Sequence, residues 1–355
     1  MEDDINSDSS DTATSSSVDL LNFDREELTT ELSSRFELES FRARQLVNWL
    51  YKRRITDFEQ MTDISKIVRD QLAEVYTISR PKPVTIQKSK DGTRKYLFEL
   101  SDGSRVESVL IAQATRYTLC VSSQVGCAIG CGFCRTAQMG LKRNLKTAEI
   151  IGQVLAVLDD LEAERFYNIV FMGMGEPFHN INNVIRTVKI LNDPLGLDFS
   201  ARKITVSTSG LVPAIKKFGD SKAGANLAIS LNATTDEVRE KIMPINKRWP
   251  LEDLLSTLRA YPLKKGRRIT IEYVMLKGVN DSDQDLERLP KILRGIPSKI
   301  NLIPYNDNTG LGYHPPSLER INFWQQSLLG KGMNSTIRWS KGDDISAACG
   351  QLATA

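Results

Sequence analysis

Four of the five cysteines in this 355-residue sequence fall within fifteen positions, as Cys120, Cys127, Cys131 and Cys134. The fifth, Cys349, stands six positions from the last residue. Thiols so few and so unevenly placed do not make a disulfide framework for a chain of this length. Cys127, Cys131 and Cys134, at x3 and x2 spacing, can hold three corners of an iron–sulfur cube and leave the fourth iron open to a ligand. The alternative is a zinc site that takes Cys120 as its fourth ligand, although the spacing lacks the paired C-x2-C hooks of zinc ribbons. Read alone, Cys120 is a small apolar strand residue and Cys349 an inert thiol near a turn that Asp344 could cap.

Further polar groups close β-rich runs. Met172-Gly173-Met174-Gly175-Glu176-Pro177 follows one of them, where glycines admit a close backbone approach and Glu176 can accept from an ammonium group. Ser207, Ser230-Leu231-Asn232 and Asn306 end three more, and each by itself reads as a cap or turn residue. Glu107, in RVESVLI, shares a strand face with Val109 and Ile111. Facing inward, it would be desolvated and its pKa raised towards that of a general base; facing outward, it is a solvated strand residue. The two histidines, His179 and His314, support no Ser–His–Asp or Cys–His arrangement.

The elements that must carry these residues follow from pattern. Residues 24–78 read as helical: Asp24-Arg25-Glu26-Glu27 offers a cap, FRARQLVNWLYKRR (41–54) puts Phe41, Leu46, Trp49 and Leu50 near one face, and a helix is expected over 63–75. Strands at 82–89, 94–100 and 105–111 are joined by Asp91-Gly92 and Asp102-Gly103, a strong hairpin signal. From 117 on, β-rich runs (117–122, 167–173, 203–209, 226–232, 269–278, 300–306) alternate with helical patterns near 147–163, 181–192, 211–219, 235–259 and 283–295. Repeated βα units mean a parallel sheet covered by helices, either partly closed or doubly wound, with ligands beyond the C-terminal strand ends.

Charge bounds the partners. The chain is +3, but its first twenty-four residues hold seven acids and no Lys or Arg. The remainder carries 47 basic side chains against 37 acidic ones, a net +10 compatible with an anionic partner. Candidate cations are Arg42, Lys52, Arg53, Arg54, Lys142, Arg143, Lys247 and Arg248. The acidic start is neither a secretory signal nor a transit peptide, and no run approaches a membrane span, so a reduced, cytoplasmic setting is expected.

The words TLCVSSQVGCAIGCGFCRTAQMG, GMGEP, VSTSGLVP, ISLNATTDEVREKIMPINKR, NLIPYN and GDDISAACGQL together resemble one family. It is the radical S-adenosylmethionine (SAM) adenosine C2 methyltransferases of dual specificity for 23S ribosomal RNA and transfer RNA. The resemblance spans roughly 20–353. It implies an α/β fold, a partial (β/α)6 barrel over 113–340, with a helical RNA-binding-like domain over 21–80, a β-hairpin linker over 81–112, and a tail over 341–355 carrying Cys349. The lead-in over 1–20 reads as disordered.

The resemblance also implies roles. Cys127, Cys131 and Cys134 would hold a [4Fe-4S] cluster, and Gly175, Glu176, Ser207, Ser230, Leu231, Asn232 and Asn306 would bind SAM. Cys349 would be methylated first, and a deoxyadenosyl radical from a second SAM would then activate that methyl group. The carbon radical would add to C2 of the adenine of 23S rRNA or of the tRNA adenosine 3′ to the anticodon. Glu107 would take the C2 proton, and Cys120 would free the product by pairing with Cys349 as a disulfide. Such chemistry suits C2, an electron-poor carbon with no lone pair to attack a sulfonium, whereas a thiolate takes a methyl readily. The expected partners are the two RNAs and a reductant such as flavodoxin or ferredoxin, with no membrane and a monomeric chain. The C8 methyltransferase relatives and a zinc-stabilised RNA-binding protein are the competing readings. Two departures from the family pattern stand out: Asn232 where histidine is common, and Arg135 directly after the last cluster cysteine.

Overall fold

The computed structural model describes residues 17–113, 116–161, 166–307 and 310–354. Most of the acidic lead-in therefore lies outside the described residues. Its end does not: Val18–Asp19 (β1) pairs in parallel with Tyr76–Thr77 (β2), and Leu20 and Leu21 are fully buried. Asp24 opens α1 (Arg25–Phe36), accepting the N–H groups of Glu26 and Glu27 at 3.0 Å while Glu27 reaches back to the Asp24 N–H. This reciprocal cap satisfies donors that a helix start otherwise strands. α2 (Ser40–Val47) runs into one wider turn, Asn48–Lys52, and α3 (Lys66–Val75) follows; Leu46, Trp49 and Leu50 are buried together.

β3 (Pro83–Lys88), β4 (Arg94–Glu99) and β5 (Arg105–Gln113) form the two expected hairpins. They link the helices to the barrel and also extend its sheet, because β5 pairs antiparallel with β6 (Arg116–Cys120). The chain then makes β7 (Gln124–Gly126), α4 (Arg135–Gln138), β8 (Leu141–Asn144), α5 (Thr147–Asp160), β9 (Phe166–Phe171), α6 (Ile181–Asn192) and β10 (Ile204–Thr208). α7 (Val212–Asp220), β11 (Asn226–Ser230), α8 (Asp236–Ile242), α9 (Leu251–Arg259), β12 (Ile269–Met275), α10 (Asp283–Ile292), β13 (Ser298–Pro304), α11 (Leu318–Gly330) and β14 (Ser335–Ile337) complete it.

The main sheet has the order β14-β13-β12-β11-β10-β9-β6-β5-β4-β3, parallel from β14 to β6, and its two ends do not meet. It is a partial barrel, with β14 one parallel strand beyond the six that the sequence suggests. The helix expected over 235–259 is two, α8 and α9. Pro244 and Pro250 interrupt it, because a proline excludes the α conformation from the residue before it.

Alternation along the strands gives the barrel two different faces. Ile169, Val206, Ile229, Ile271 and Leu302 belong to the apolar core. Thr118, Asn168, Thr205, Asn226, Thr270 and Asn301 line a cavity inside the barrel instead. The N-terminal helices are clipped to the outside by the ion pairs Arg25–Asp193 (2.7 Å), Arg186–Glu27 (2.5 Å) and Lys189–Asp24 (3.2 Å).

Candidate active site

The cysteine loop is built on a buried polar frame. Gln153 of α5 accepts from the Ser122 N–H at 2.9 Å and donates to the Ser122 carbonyl at 3.1 Å, and the Ser122 hydroxyl accepts from the Met174 N–H at 2.8 Å. β7 and β8 bracket the loop as a short antiparallel pair, with the Cys127 N–H bonded to the Gly140 carbonyl at 2.8 Å. Cys127, Cys131 and Cys134 come out of this frame into one cavity at the C-terminal ends of the strands. Burial pushes the Cys127 thiol up to about 12 and the other two above the ordinary thiol range, and nearby negative groups add to the rise: Glu176 and Cys134 for Cys127, Cys134 and Cys127 for Cys131, and Cys349 for Cys134. A metal centre reverses that balance, since coordination deprotonates a thiol. Cys120, the fourth ligand that the zinc reading needs, lies in β6 and lines a second cavity below.

The Gly175–Glu176 turn closes over the same cavity. Gly175 has φ +99°, and a Cβ there would stand 2.5 Å from the Gln124 Cβ, so only glycine fits. Glu176 is buried; its two oxygens accept the N–H groups of Phe178 (2.9 Å) and Ser209 (2.7 Å), which ties this turn to the end of β10. Each oxygen keeps a lone pair for a ligand ammonium. Ser207, Ser230, Asn232 and Asn306 line the cavity as well. The Leu231 side chain points away, fully buried, and its backbone bridges the Glu272 carbonyl (3.0 Å) and Arg239. Asn232 sits at φ +58°, a conformation asparagine tolerates. Its side-chain oxygen accepts the Val274 N–H at 2.8 Å and its side-chain nitrogen reaches the Met243 sulfur at 3.2 Å, so both ends of the side chain are engaged within the protein.

Four residues here carry no sequence signal that singled them out. Ser209 lies two positions after Ser207 on the same face, and its buried hydroxyl has no hydrogen-bond partner, which leaves a polar group for a ligand to satisfy. Arg239 is fully buried and donates to the carbonyls of Ser209 (2.6 Å), Ser230 (3.2 Å) and Leu231 (3.0 Å) and to the Asn246 side chain (2.9 Å). It thereby fixes the ends of β10 and β11, and burial lowers its pKa to about 10. The other two, Glu272 and Arg338, line the upper and the lower cavity alike. Period-two alternation on a strand could have placed Ser209 and Glu272 inward, but nothing local marks Arg239 or Arg338.

The tail completes the site. The Gly350 carbonyl accepts the Arg135 N–H (2.8 Å), the Leu352 carbonyl accepts the Thr136 hydroxyl (2.6 Å), and the Cys349 carbonyl accepts the Asn306 side chain (3.0 Å). Cys349 therefore lies in the wall shared by the upper and lower cavities. The Arg135 side chain itself is exposed, so the charge following the last cluster cysteine points to solvent. Asp344 does not cap its own turn; it accepts from the Ser89 hydroxyl (2.6 Å) and the Lys90 N–H (3.2 Å), anchoring the tail to the first hairpin.

Cys120 and Cys349 are both free thiols facing the lower cavity. Burial, then the Cys349 charge, pushes the Cys120 thiol up to about 12, against the pull of Arg338. Glu107 is buried, 5% exposed, beneath the tail, and does not itself line either cavity, although Val109 and Ile111 on the same strand face line the lower one. Its carboxylate pairs with Lys95 (3.1 Å) and accepts the Ala353 N–H (3.1 Å); burial raises its pKa and Lys95 offsets part of the rise.

A partial barrel whose strand ends hold three thiols in an open loop, with a glycine–glutamate turn beside them, defines a radical SAM enzyme. Residues 121–289 match the Radical SAM superfamily, and residues 18–78 match the ribosomal RNA large subunit methyltransferase N-terminal domain. The dual-specificity RNA methyltransferase RlmN of Syntrophotalea carbinolica is 51% identical, over 94% of this chain and 89% of that protein. That of Geobacter sulfurreducens is 54% identical, over 88% of this chain and 86% of its own length. The crystal structure of a radical SAM methyltransferase from Sphaerobacter thermophilus is 43% identical and superposes with a TM-score of 0.87, covering 94% of this chain and 99% of that one. The chain belongs to the family of dual-specificity RNA methyltransferases. The thiol donor set and the orphaned Ser209 hydroxyl fit the [4Fe-4S] cluster and SAM that this family implies.

Proposed function

We propose that the protein methylates C2 of an adenosine in 23S rRNA and of the adenosine 3′ to the anticodon in tRNA. One observation carries this reading: Cys349, more than two hundred positions from the cysteine loop, lines the same cavity as Cys127, Cys131 and Cys134. A thiol beside a SAM site is placed to accept a methyl group and present it to a second SAM. Cys127, Cys131 and Cys134 would hold the cluster, which would supply the electron that cleaves SAM.

The remaining steps fall to the chain's own residues. Glu176, Ser207, Ser209 and the backbone of Ser230–Asn232 would orient SAM. The Cys349 sulfur would carry the methyl carbon, and Asn306 and the tail contacts would keep that sulfur in the wall between the cavities. Glu107 would take the C2 proton; its raised pKa suits a base working near neutrality. Cys120 would form an S–S bond with Cys349 as the S–carbon bond to RNA breaks, a role supported by their shared cavity.

Several cations that the sequence offered for RNA are engaged within the protein. Arg143 is held by Asp102 (2.7 Å) and Glu149 (2.8 Å), Arg54 by Asp159 (2.6 Å), and Arg53 lies over the Trp49 ring. Arg202, Lys203 and Lys299, which line the lower cavity, are better placed to attract an RNA strand. The reading extends to a cytoplasmic monomer served by a flavodoxin- or ferredoxin-type reductant; among the described residues no helix is long and apolar enough to cross a membrane.

A single-turnover assay with methyl-labelled SAM and both RNAs tests the reading. Label should appear first on Cys349 and then on adenosine C2, located by mass mapping of nucleosides. Label at C8 would move the protein to the other regiochemistry, and purified protein holding zinc without iron or sulfide would sink the radical reading. Cys349→Ala should keep iron and SAM binding yet transfer no methyl group to RNA, and Cys120→Ala should accumulate RNA covalently bound to the enzyme.

A further inference from the structure

Glu272 and Arg338 are charged groups in the reaction cavity to which no step above assigns a task. Glu272 points inward from β12, between Thr270 and Val274, which also line cavity walls. It is 4% exposed; one oxygen accepts the Asn301 side-chain amide at 3.0 Å and the other has no hydrogen-bond partner. A buried carboxylate oxygen without a donor is costly, and such an atom in a native cavity wants a ligand. Arg338, just past β14, spends one guanidinium nitrogen on the Met172 sulfur at 3.2 Å. Its charge acts on Cys349, Glu272 and Cys120 together, so it is the group common to the carboxylate and the two thiols. Among the described residues no ion pair joins Arg338 to Glu272, although both line both cavities. Burial raises the Glu272 pKa and the Arg338 charge draws it back, yet the two groups make no direct contact, which leaves an acceptor oxygen and guanidinium donors facing whatever enters.

The lower cavity, about 620 Å³, has room for a nucleobase. An enzyme acting on a base carbon must take that base out of its stack and read it by its edge. Along one edge of adenine come the amino N–H donor, the N1 acceptor and C2–H. The protein offers a matching set: the Glu272 acceptor, the Arg338 donor and the sulfur of Cys349. Building on the methyltransferase reading, we propose that Glu272 and Arg338 are the specificity-determining subsite for the target base. The free Glu272 oxygen accepts the adenine amino N–H, the Arg338 guanidinium donates to N1, and C2, the neighbour of N1, is left against the Cys349 sulfur. Guanine and hypoxanthine carry the reverse polarity along that edge, a carbonyl oxygen and an N1–H, and are rejected because acceptor would meet acceptor and donor would meet donor.

The same oxygen could instead serve a ribose hydroxyl of SAM, and the test separates the two donors. Reconstituted enzyme is given tRNA whose target position holds adenosine, purine riboside (no amino group), 1-deazaadenosine or 7-deazaadenosine. In the wild type, purine riboside and 1-deazaadenosine should lower kcat/KM roughly ten- to hundredfold, the loss of one hydrogen bond to a charged group, and 7-deazaadenosine should change it little. Glu272→Ala should react slowly with adenosine and lose less than about threefold more on purine riboside; Arg338→Met should do the same for 1-deazaadenosine. SAM affinity, measured by equilibrium dialysis, should be unchanged by Glu272→Ala. Iron content and thermal melts show whether each variant folds, and Glu272→Gln, which keeps the shape, replaces an alanine variant that does not.

A purine riboside penalty undiminished in the Glu272 variant overturns the proposal. So does a tenfold weaker SAM affinity with that penalty intact, which would give the oxygen to SAM. A 7-deazaadenosine penalty in place of the 1-deaza one overturns the choice of edge. Wild-type protein that turns over adenosine and purine riboside alike defeats the subsite alone, whereas no methylation of adenosine RNA defeats the parent reading with it.

Discussion

The side-chain amide of Asn306 donates to the main-chain carbonyl of Cys349 at 3.0 Å, joining the end of β13 to the tail. A residue expected to touch SAM thus also holds the thiol that would accept the methyl group. The Ser340 hydroxyl bonds the other end of the same amide, so the clamp is two-sided.

Loosening that clamp should show in the tail before it shows elsewhere. A neutral hydrogen bond contributes about 1 kcal/mol net, so Asn306→Ala should raise tail opening roughly fivefold. Hydrogen exchange at residues 346–353 should quicken by that factor while α5 is unaffected. Unchanged exchange would mean that the Arg135, Thr136 and Glu107 contacts suffice alone.

Arg239 should matter for folding more than for any single contact. Its removal leaves three buried carbonyls without their donor, and Arg239→Met should cost at least about 3 kcal/mol. Arg239→Lys should not restore it, because one ammonium cannot span a forked set of acceptors. Urea midpoints measured anaerobically decide this; a lysine variant as stable as the wild type would refute it.

Cys120, with its thiol pushed up to about 12, should resist alkylation at pH 7.5 and react faster as pH rises. Peptide mass analysis after brief iodoacetamide pulses reads this, with urea-unfolded protein as the reactive control. The folded state holds that proton more tightly than the unfolded one. The associated stability is full below the unfolded thiol range, about 8.5, and is lost as pH rises from there towards the folded value.

Lys95 holds part of the Glu107 pKa rise in check. Lys95→Met should therefore raise that pKa further and move the acid limb of the pH–rate profile upward, with activity falling off at higher pH than in the wild type. A limb that does not move would assign the C2 proton to another acceptor.

The βα order was legible because buried parallel strands need apolar runs and their crossovers need helices. The Asp-Gly hairpins and the Asp24 cap were legible because their chemistry is local. β14 was not, since three residues at a sheet edge carry too little pattern, and the break between α8 and α9 was hidden by apolar spacing that continued past two prolines. Glu107 shows the limit well. Alternation put it on one face with Val109 and Ile111, but which face pointed inward depended on a tail that arrives about 240 residues later.

The sequence alone determined the donor set: three thiols at a spacing that suits a cluster, a glycine–glutamate turn, and words shared with one family. These are short-range properties, set by neighbouring residue types. Tertiary structure decided what the tail does. Only the folded barrel brings Cys349 to the cysteine loop and Cys120 into the cavity beneath it. Only there do Glu272 and Arg338 face one space without pairing, because hydrogen bonds and burial between distant segments leave no mark on local sequence.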